Sequence, residues 1–485
     1  MHLRILVTAA ALAALTASAL AAGKPVVNPH VGTDTSVDYT TIDRIIASVV
    51  KKGMTDEQKV LAVFHAMRRM WVHGPTPGRL AYDFHKVIHS IGTGACLTMT
   101  TPLHVVYDRM GYKSRSWVHN THHMMEVFYG GDWHCLDPHM SFYCYDRSKP
   151  RKIASIAQLR ADPTLAHDAV KEGRAGQGYL LCGDKPKWFA AQKNNPRDRW
   201  TLERGGRWPK MKIAEPFGQI TLRRGETYVR TWRPGKYWYK KSWGPGRGPY
   251  HTCGPADRKD TANWPLYEPH AWKGAYRCWA AGQLIYKPDL ATDHYLDAVA
   301  DSKNIKAAGG ALAQADAGKP GEIVWSVQCP YVLTAGELKM AAPAKGKLAA
   351  AVSIDDGKTW KDLTLAKADG SVAGTFVDEV NGSWAGCRVR VRLTGGATLA
   401  KMALTSHFQV NRFSLPNFVP GANVVSVVAD AYGSPLTVTY KWAEGPKWKT
   451  PKTVSKTFAK NGKFTVEAAG PKWPRMESLT LSVAP

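Results

Sequence analysis

The change of hydrophobic period at Gly111 constrains this chain more than any other feature. From Leu97 to Met110 the pattern is helical, with Leu103, Val106 and Met110 on one face and Gly111 as its stop. After Gly111 it turns to strands at Ser114–His119, His122–Tyr129 and Asp132–Asp137, the last two separated by Gly130-Gly131. Gly92 and Gly94 break the chain just ahead of Cys96, so the cysteine opens the helix. Pro102 lies inside that helix and removes one backbone hydrogen bond, which predicts a kink or a late start.

Residue types in this stretch carry chemistry. A thiol is a weak nucleophile while protonated, and both a helix N-terminus and a nearby imidazolium lower its pKa. Cys96 meets the first condition, and His122 or His123 the second. If Gly130-Gly131 is a two-residue hairpin loop, Tyr129 faces Asp132, Met124 faces Asp137 and His122 faces His139. His122 and Asp137 are then diagonal neighbours on one face, and His123 points to the other. A cysteine nucleophile, a histidine base and an orienting carboxylate are the parts of an acyl-transfer triad.

Gly94-Ala95-Cys96 at a helix start, His122-x-x-x-Glu126-Val127 and Trp133-x-x-x-Asp137-Pro138 together resemble the core of the transglutaminase-like superfamily, a papain-like fold. The upstream helix ending in Met67-Arg68-Arg69-Met70-Trp71 resembles the one such domains carry before the nucleophile. The likeness covers roughly residues 40–140. It implies Cys96 as nucleophile, His122 as base, Asp137 as orienting carboxylate and the Cys96 backbone N–H as an oxyanion donor. The chain departs from the pattern at Met124, where an aromatic is common, at Pro102, and in its short Cys-to-His separation.

The flanking sequence sets the wider organisation. Met1–Ala22 has a basic start, an apolar run and small-residue cleavage sites, which predicts a secretory signal peptide and an exported protein without a transmembrane segment after cleavage. Residues 23–40 read as an irregular lead-in. A helix is expected over Thr41–Lys52, and a capping box at Thr55–Gln58 opens another running to about His73. Tyr82–Ser90 is a less regular segment, and Ile156–Leu159 and Leu165–Lys171 are short helical patches. Residues 23–195 form the thiol-enzyme-like domain on this reading.

Residues 196–310 form a connecting region. Its 196–250 part holds fourteen Lys/Arg against four acids, and nine of the eighteen tryptophans lie between Trp188 and Trp279. A hairpin over Gln219–Leu222 and Thr227–Trp232 turns at Arg224-Gly225. From about residue 311 the chain is all-β, a sandwich over 311–416 with 417–485 as a further β region or part of the same sandwich. Ser353–Trp360 resembles an Asp-box turn, a structural device.

With a net charge of +26, an exported chain is expected to meet anionic glycans or cell-wall polymers, not nucleic acid. No cofactor is expected. Zinc at His119, His122 or His123 and Cys135 is the rival reading of the histidine-rich stretch, without an H-E-x-x-H or paired C-x-x-C pattern to support it. Eight cysteines are too few for a disulfide scaffold; Cys253 with Cys278 and Cys329 with Cys387 are the candidate pairs.

The expected fold is therefore an α+β papain/transglutaminase-like domain followed by β-sandwich modules. The expected activity is hydrolysis or acyl transfer at an amide or peptide bond of a protein or peptide substrate, through a thioester on Cys96. The alternative is a non-catalytic envelope or matrix protein that adheres through the basic, Trp-rich and β regions.

Overall fold

Local signals set the helices. In the computed structural model, which describes residues 24–73, 82–119, 122–139, 142–162, 164–166, 210–233, 235–237, 239, 279–470 and 473–485, Thr41 caps the Ile42–Val49 helix by accepting from the Arg44 N–H. Thr55 and Gln58 exchange both hydrogen bonds of the capping box, at 3.2 and 2.9 Å, and open the Asp56–Arg68 helix. Its Val60, Val63, Phe64 and Met67 are buried. The helix stops five residues short of the expected end. Val72–His73 leaves the helical path to pair in parallel with Thr93–Gly94, and the Arg68 guanidinium donates to the Trp71 carbonyl across that exit.

Phe84–Lys86 is a single helical turn, and Val87–Ile91 widens to a π-turn. Gly92 ends it at φ 58°, where a side chain would also run into the Asn411 amide at under 3 Å. The Cys96–Arg109 helix then begins at Cys96, so Pro102 delays nothing. In the turns beside it, the Thr100 and Thr101 hydroxyls donate to the Leu97 carbonyl. This helix packs on a three-stranded antiparallel sheet, Lys113–His119, His122–Tyr129 and Asp132–Leu136. Met99, Leu103, Val106, Met125, Val127 and Leu136 share one core with the Asp56–Arg68 helix.

The protein is mostly β with few helices, and its C-terminal part is a large β-sheet region. A nine-stranded antiparallel sheet runs in the order Ala366–Ala368, Ser371–Phe376, Val332–Ala341, Met402–Asn411, Trp279–Tyr286, Glu226–Thr231, Arg475–Val483, Leu436–Glu444, Thr450–Phe458. A five-stranded sheet packs with it, centred on Cys387–Thr394, whose Val389, Val391 and Leu393 are buried while Arg388, Arg390 and Arg392 alternate outward. Strands from 279–411 and from 417–485 thus lie in one continuous sheet.

Three further expectations change. The lead-in is not irregular: Val26–Val27 pairs with Ala431–Tyr432 and Thr221–Leu222, and His30–Thr33 pairs with Gly421–Val428. Thr221–Leu222 and Glu226–Thr231 do not pair with each other but belong to different sheets. Arg223 and Glu226 form a buried ion pair across that corner, and Gly225 packs so closely on the Lys287 carbonyl that a Cβ would stand 2.3 Å from it. Cys329 and Cys387 are buried free thiols, not a disulfide; burial pushes both up, and Cys387 adds to the rise at Cys329. The Ser353–Trp360 turn is structural as read: Asp355 accepts from Thr359 and Ser353, and Arg390 stacks on Trp360 at 4.4 Å.

The signal-peptide stretch, the Cys253–Cys278 pair, Leu165–Lys171 beyond Ala166 and most of the basic Trp-rich block lie outside the described residues. Among the described residues, no helix is long and apolar enough to cross a membrane.

Candidate thiol active site

The parity of one hairpin brings the candidate triad together. Gly130 and Gly131 both take positive φ, 58° and 86°, as a two-residue hairpin turn requires. Tyr129 therefore pairs with Asp132, and Met125 with Leu136. The same register brings His122, the first residue of its strand, beside Asp137, which follows the end of the facing strand. His122 Nε2 donates to Asp137 Oδ2 at 2.7 Å, and both side chains are largely buried.

Cys96 reaches this pair from the helix. It is the first residue of the Cys96–Arg109 helix, follows an Ala95 that offers no side-chain cap, and is 8% exposed. One nitrogen of His122, one of His139 and the Cys96 sulfur all lie within 4.8 Å of one another. With Nε2 on Asp137, Nδ1 is the His122 nitrogen left for the thiol; it also stands 3.5 Å from His139 Nδ1.

The electrostatics follow from this geometry. Burial alone pushes the Cys96 thiol up. His122, by hydrogen bond and charge, and the backbone N–H groups of His123 and Leu97 outweigh it and bring the thiol below its ordinary value. Burial pushes His122 down, but the Asp137 carboxylate and the thiol raise it to about 9. Both shifts run toward a thiolate–imidazolium pair.

The shell around the triad is structural. Glu126, fully buried on the middle strand, accepts from Arg115 Nε at 2.7 Å, Trp117 Nε1 at 2.5 Å and the Ile156 N–H at 2.7 Å. It ties two strands to the start of the Ile156–Ala161 helix. The π-turn ahead of Cys96 is bolted to the nine-stranded sheet. Asn411 Nδ2 donates to the Met70 and Ile88 carbonyls, Gln409 Nε2 to Ser90 and Trp279 Nε1 to Ile91. These anchors come from more than 180 residues away, and nothing local in the sequence announces them.

The other histidines are mostly engaged elsewhere. His104 bonds Ser114 and Ser116, and burial holds it down to about 4. His134 bonds the Ile153 carbonyl at 2.6 Å. Cys135, named in the zinc reading, does not join Cys96: it is buried with Cys144 and Met124 in a separate apolar cluster, and burial pushes its thiol well up. The His119 side chain lies outside the described residues. His139 is the site residue that the sequence reading left without a role, although the hairpin register had already set it opposite His122. A cavity of about 360 Å³ elsewhere in the molecule is lined by none of the three triad residues. No protein-family model matches this chain, and no curated protein matches it.

Proposed function

We propose that this protein is a transglutaminase-like thiol enzyme acting on amide or peptide bonds, with Cys96 as nucleophile, His122 as acid–base group and Asp137 as orienting carboxylate. The observation that carries the reading is the chain of contacts from thiol to imidazole to buried carboxylate, with the 2.7 Å bond between His122 and Asp137. The Cys96 thiolate attacks the amide carbon. The oxyanion that forms is held by the Cys96 backbone N–H at the helix start. The C–N bond breaks as the His122 imidazolium gives its proton to the departing amine, leaving a thioester. Water, or an amine in a cross-linking reaction, then loses a proton to His122 and attacks the thioester, and Cys96 leaves as thiolate. Asp137 keeps the imidazole oriented and stabilises its charged form. Export and contact with anionic wall or matrix polymers are the setting that the basic composition favours.

The test is alkylation of the full-length protein with iodoacetamide at pH 6, each cysteine followed by peptide mass spectrometry. Cys96 is expected to react faster than the other described cysteines, with a rate that collapses in His122→Ala. Equal reactivity of Cys96 and Cys135, or a rate indifferent to His122, overturns the enzyme reading.

A second reading has one observation behind it. The mutual spacing of Cys96, His122 and His139 would also suit a zinc ion. Stoichiometric zinc uptake on purification that His139→Ala abolishes, without any thiol reactivity after chelation, would favour it over the thiol enzyme.

A further inference from the structure

Arg230 stands in the middle of the nine-stranded sheet, on the Glu226–Thr231 strand, with Trp279–Tyr286 on one side and Arg475–Val483 on the other. Tyr228 precedes it by two and so shares its face. Both line a cavity of about 360 Å³ between this sheet, the N-terminal segment and the first helices, a volume in the range of small-ligand sites.

Asp38 and Asp430 match Arg44 and Arg230 in number on the cavity wall, but neither carboxylate forms an ion pair with Arg230. Asp38 is engaged by His30 at 3.2 Å and by Arg44 at 3.1 Å. Asp430 accepts from Asn28 Nδ2 at 2.6 Å. His89 Nε2 donates to the Tyr39 carbonyl at 2.9 Å, and burial keeps the ring neutral. Arg230 has no carboxylate among the described residues. Its guanidinium lies over the Tyr228 ring at 5.1 Å and meets the Tyr331 hydroxyl, while its Nε is out of solvent without a hydrogen-bond partner. Arg230 is half-buried; a charge partly withdrawn from water gains by pairing, and a guanidinium presents a planar fork matched to a carboxylate or phosphate. Phe217, Tyr228 and Tyr331 supply aromatic wall beside it.

We propose that this cavity binds a small ring-bearing oxyanion, its carboxylate or phosphate on Arg230 and its ring against the aromatic wall. The site is separate from Cys96 and stands whether or not the thiol is catalytic.

Calorimetric titration of the full-length protein with benzoate, phenyl phosphate, inorganic phosphate and benzyl alcohol tests this, the first two distinguishing the source of the anion. Benzoate or phenyl phosphate is expected to bind at least tenfold more tightly than benzyl alcohol and than inorganic phosphate. Arg230→Met should lose at least tenfold in affinity for that probe while melting no lower than wild type, because it removes a charge that has no carboxylate among the described residues. Arg230→Lys, which keeps the charge without the fork, should lose several-fold. The proposal is overturned if neither anion outbinds benzyl alcohol. It is also overturned if Arg230→Met binds as wild type does, or if Arg230→Met unfolds or melts several degrees lower while Arg230→Lys does not, which would make the cation structural. Inorganic phosphate binding as tightly as phenyl phosphate would overturn the part played by the ring.

Discussion

Two thiols on the same small sheet-and-helix unit behave in opposite ways. Cys96 and Cys135 are both buried, at 8% and 1% exposure. The Cys96 thiol is lowered and the Cys135 thiol is raised well above the ordinary range. Burial pushes both in the same direction. At Cys135 it acts beside the negative charges of Glu126 and Asp137, and nothing opposes it. At Cys96 an imidazole that carries charge up to about pH 9 and two backbone N–H donors reverse it. Asp137 acts on both: it supports the thiolate at one site through His122 and disfavours it at the other directly. A buried thiol becomes reactive through its partners and not through its seclusion.

The sharpest way to break this contrast is to remove the sulfur. Cys96→Ala should abolish amide turnover, a loss of at least about 10³-fold, while Cys135→Ser leaves kcat/KM unchanged; loss of turnover in the second variant alone would move the nucleophile. Next in size is His122→Ala, for which the Cys96 alkylation rate at pH 6 should fall about 10²-fold or more, the scale of a lost acid–base partner. The reactivity of Cys135 should not change.

Asp137→Asn keeps both the thiol and the imidazole and is expected to act through the orientation of the imidazole, lowering kcat with a diagnostic change in pH dependence. The raised His122 pKa stabilises the folded protein fully below the histidine's unfolded value near 6.5, and that contribution is lost as pH rises through about 9. The depressed Cys96 pKa works in the opposite sense: its contribution is present above the thiol's unfolded value and is lost as pH falls through the folded one. Activity should therefore form a bell whose alkaline limb lies near 9 in the wild type and shifts to lower pH in Asp137→Asn. An alkaline limb that stays in place would remove Asp137 from the triad.

The smallest effect expected on the chemistry is that of Glu126→Ala. It leaves Arg115 without its buried carboxylate and should cost about 3–5 kcal/mol of stability in urea unfolding. The Cys96-to-Cys135 ratio of alkylation rates in the still-folded protein should change by less than about threefold. A larger change would make Glu126 a positioning residue for the thiol.

Much of the site could be read from the chain because its parts are local. A helix start, a strand and a hairpin return lie within forty-two residues, Cys96 to Asp137. Two glycines in the turn then decide through parity which histidine meets the carboxylate. The capping box at Thr55 and the Asp-box turn at Ser353 are short-range hydrogen-bond patterns and were equally legible. The π-turn at Val87–Ile91 was not, because Gln409, Asn411 and Trp279 hold it from the large sheet. The early end of the Asp56–Arg68 helix was not either, because it depends on pairing with Thr93–Gly94.

By itself the sequence determined the elements whose hydrogen bonds close within a few residues, together with the order thiol, imidazole, carboxylate. Only the tertiary structure decided that Val26–Thr33 joins strands from the far end of the chain, that Arg223–Gly225 is a corner between sheets, and that Arg230 faces a cavity without a counter-ion among the described residues. Those outcomes rest on contacts between residues hundreds of positions apart. Their stability comes from which surfaces meet and exclude water, and a local pattern of residues does not encode its distant partner.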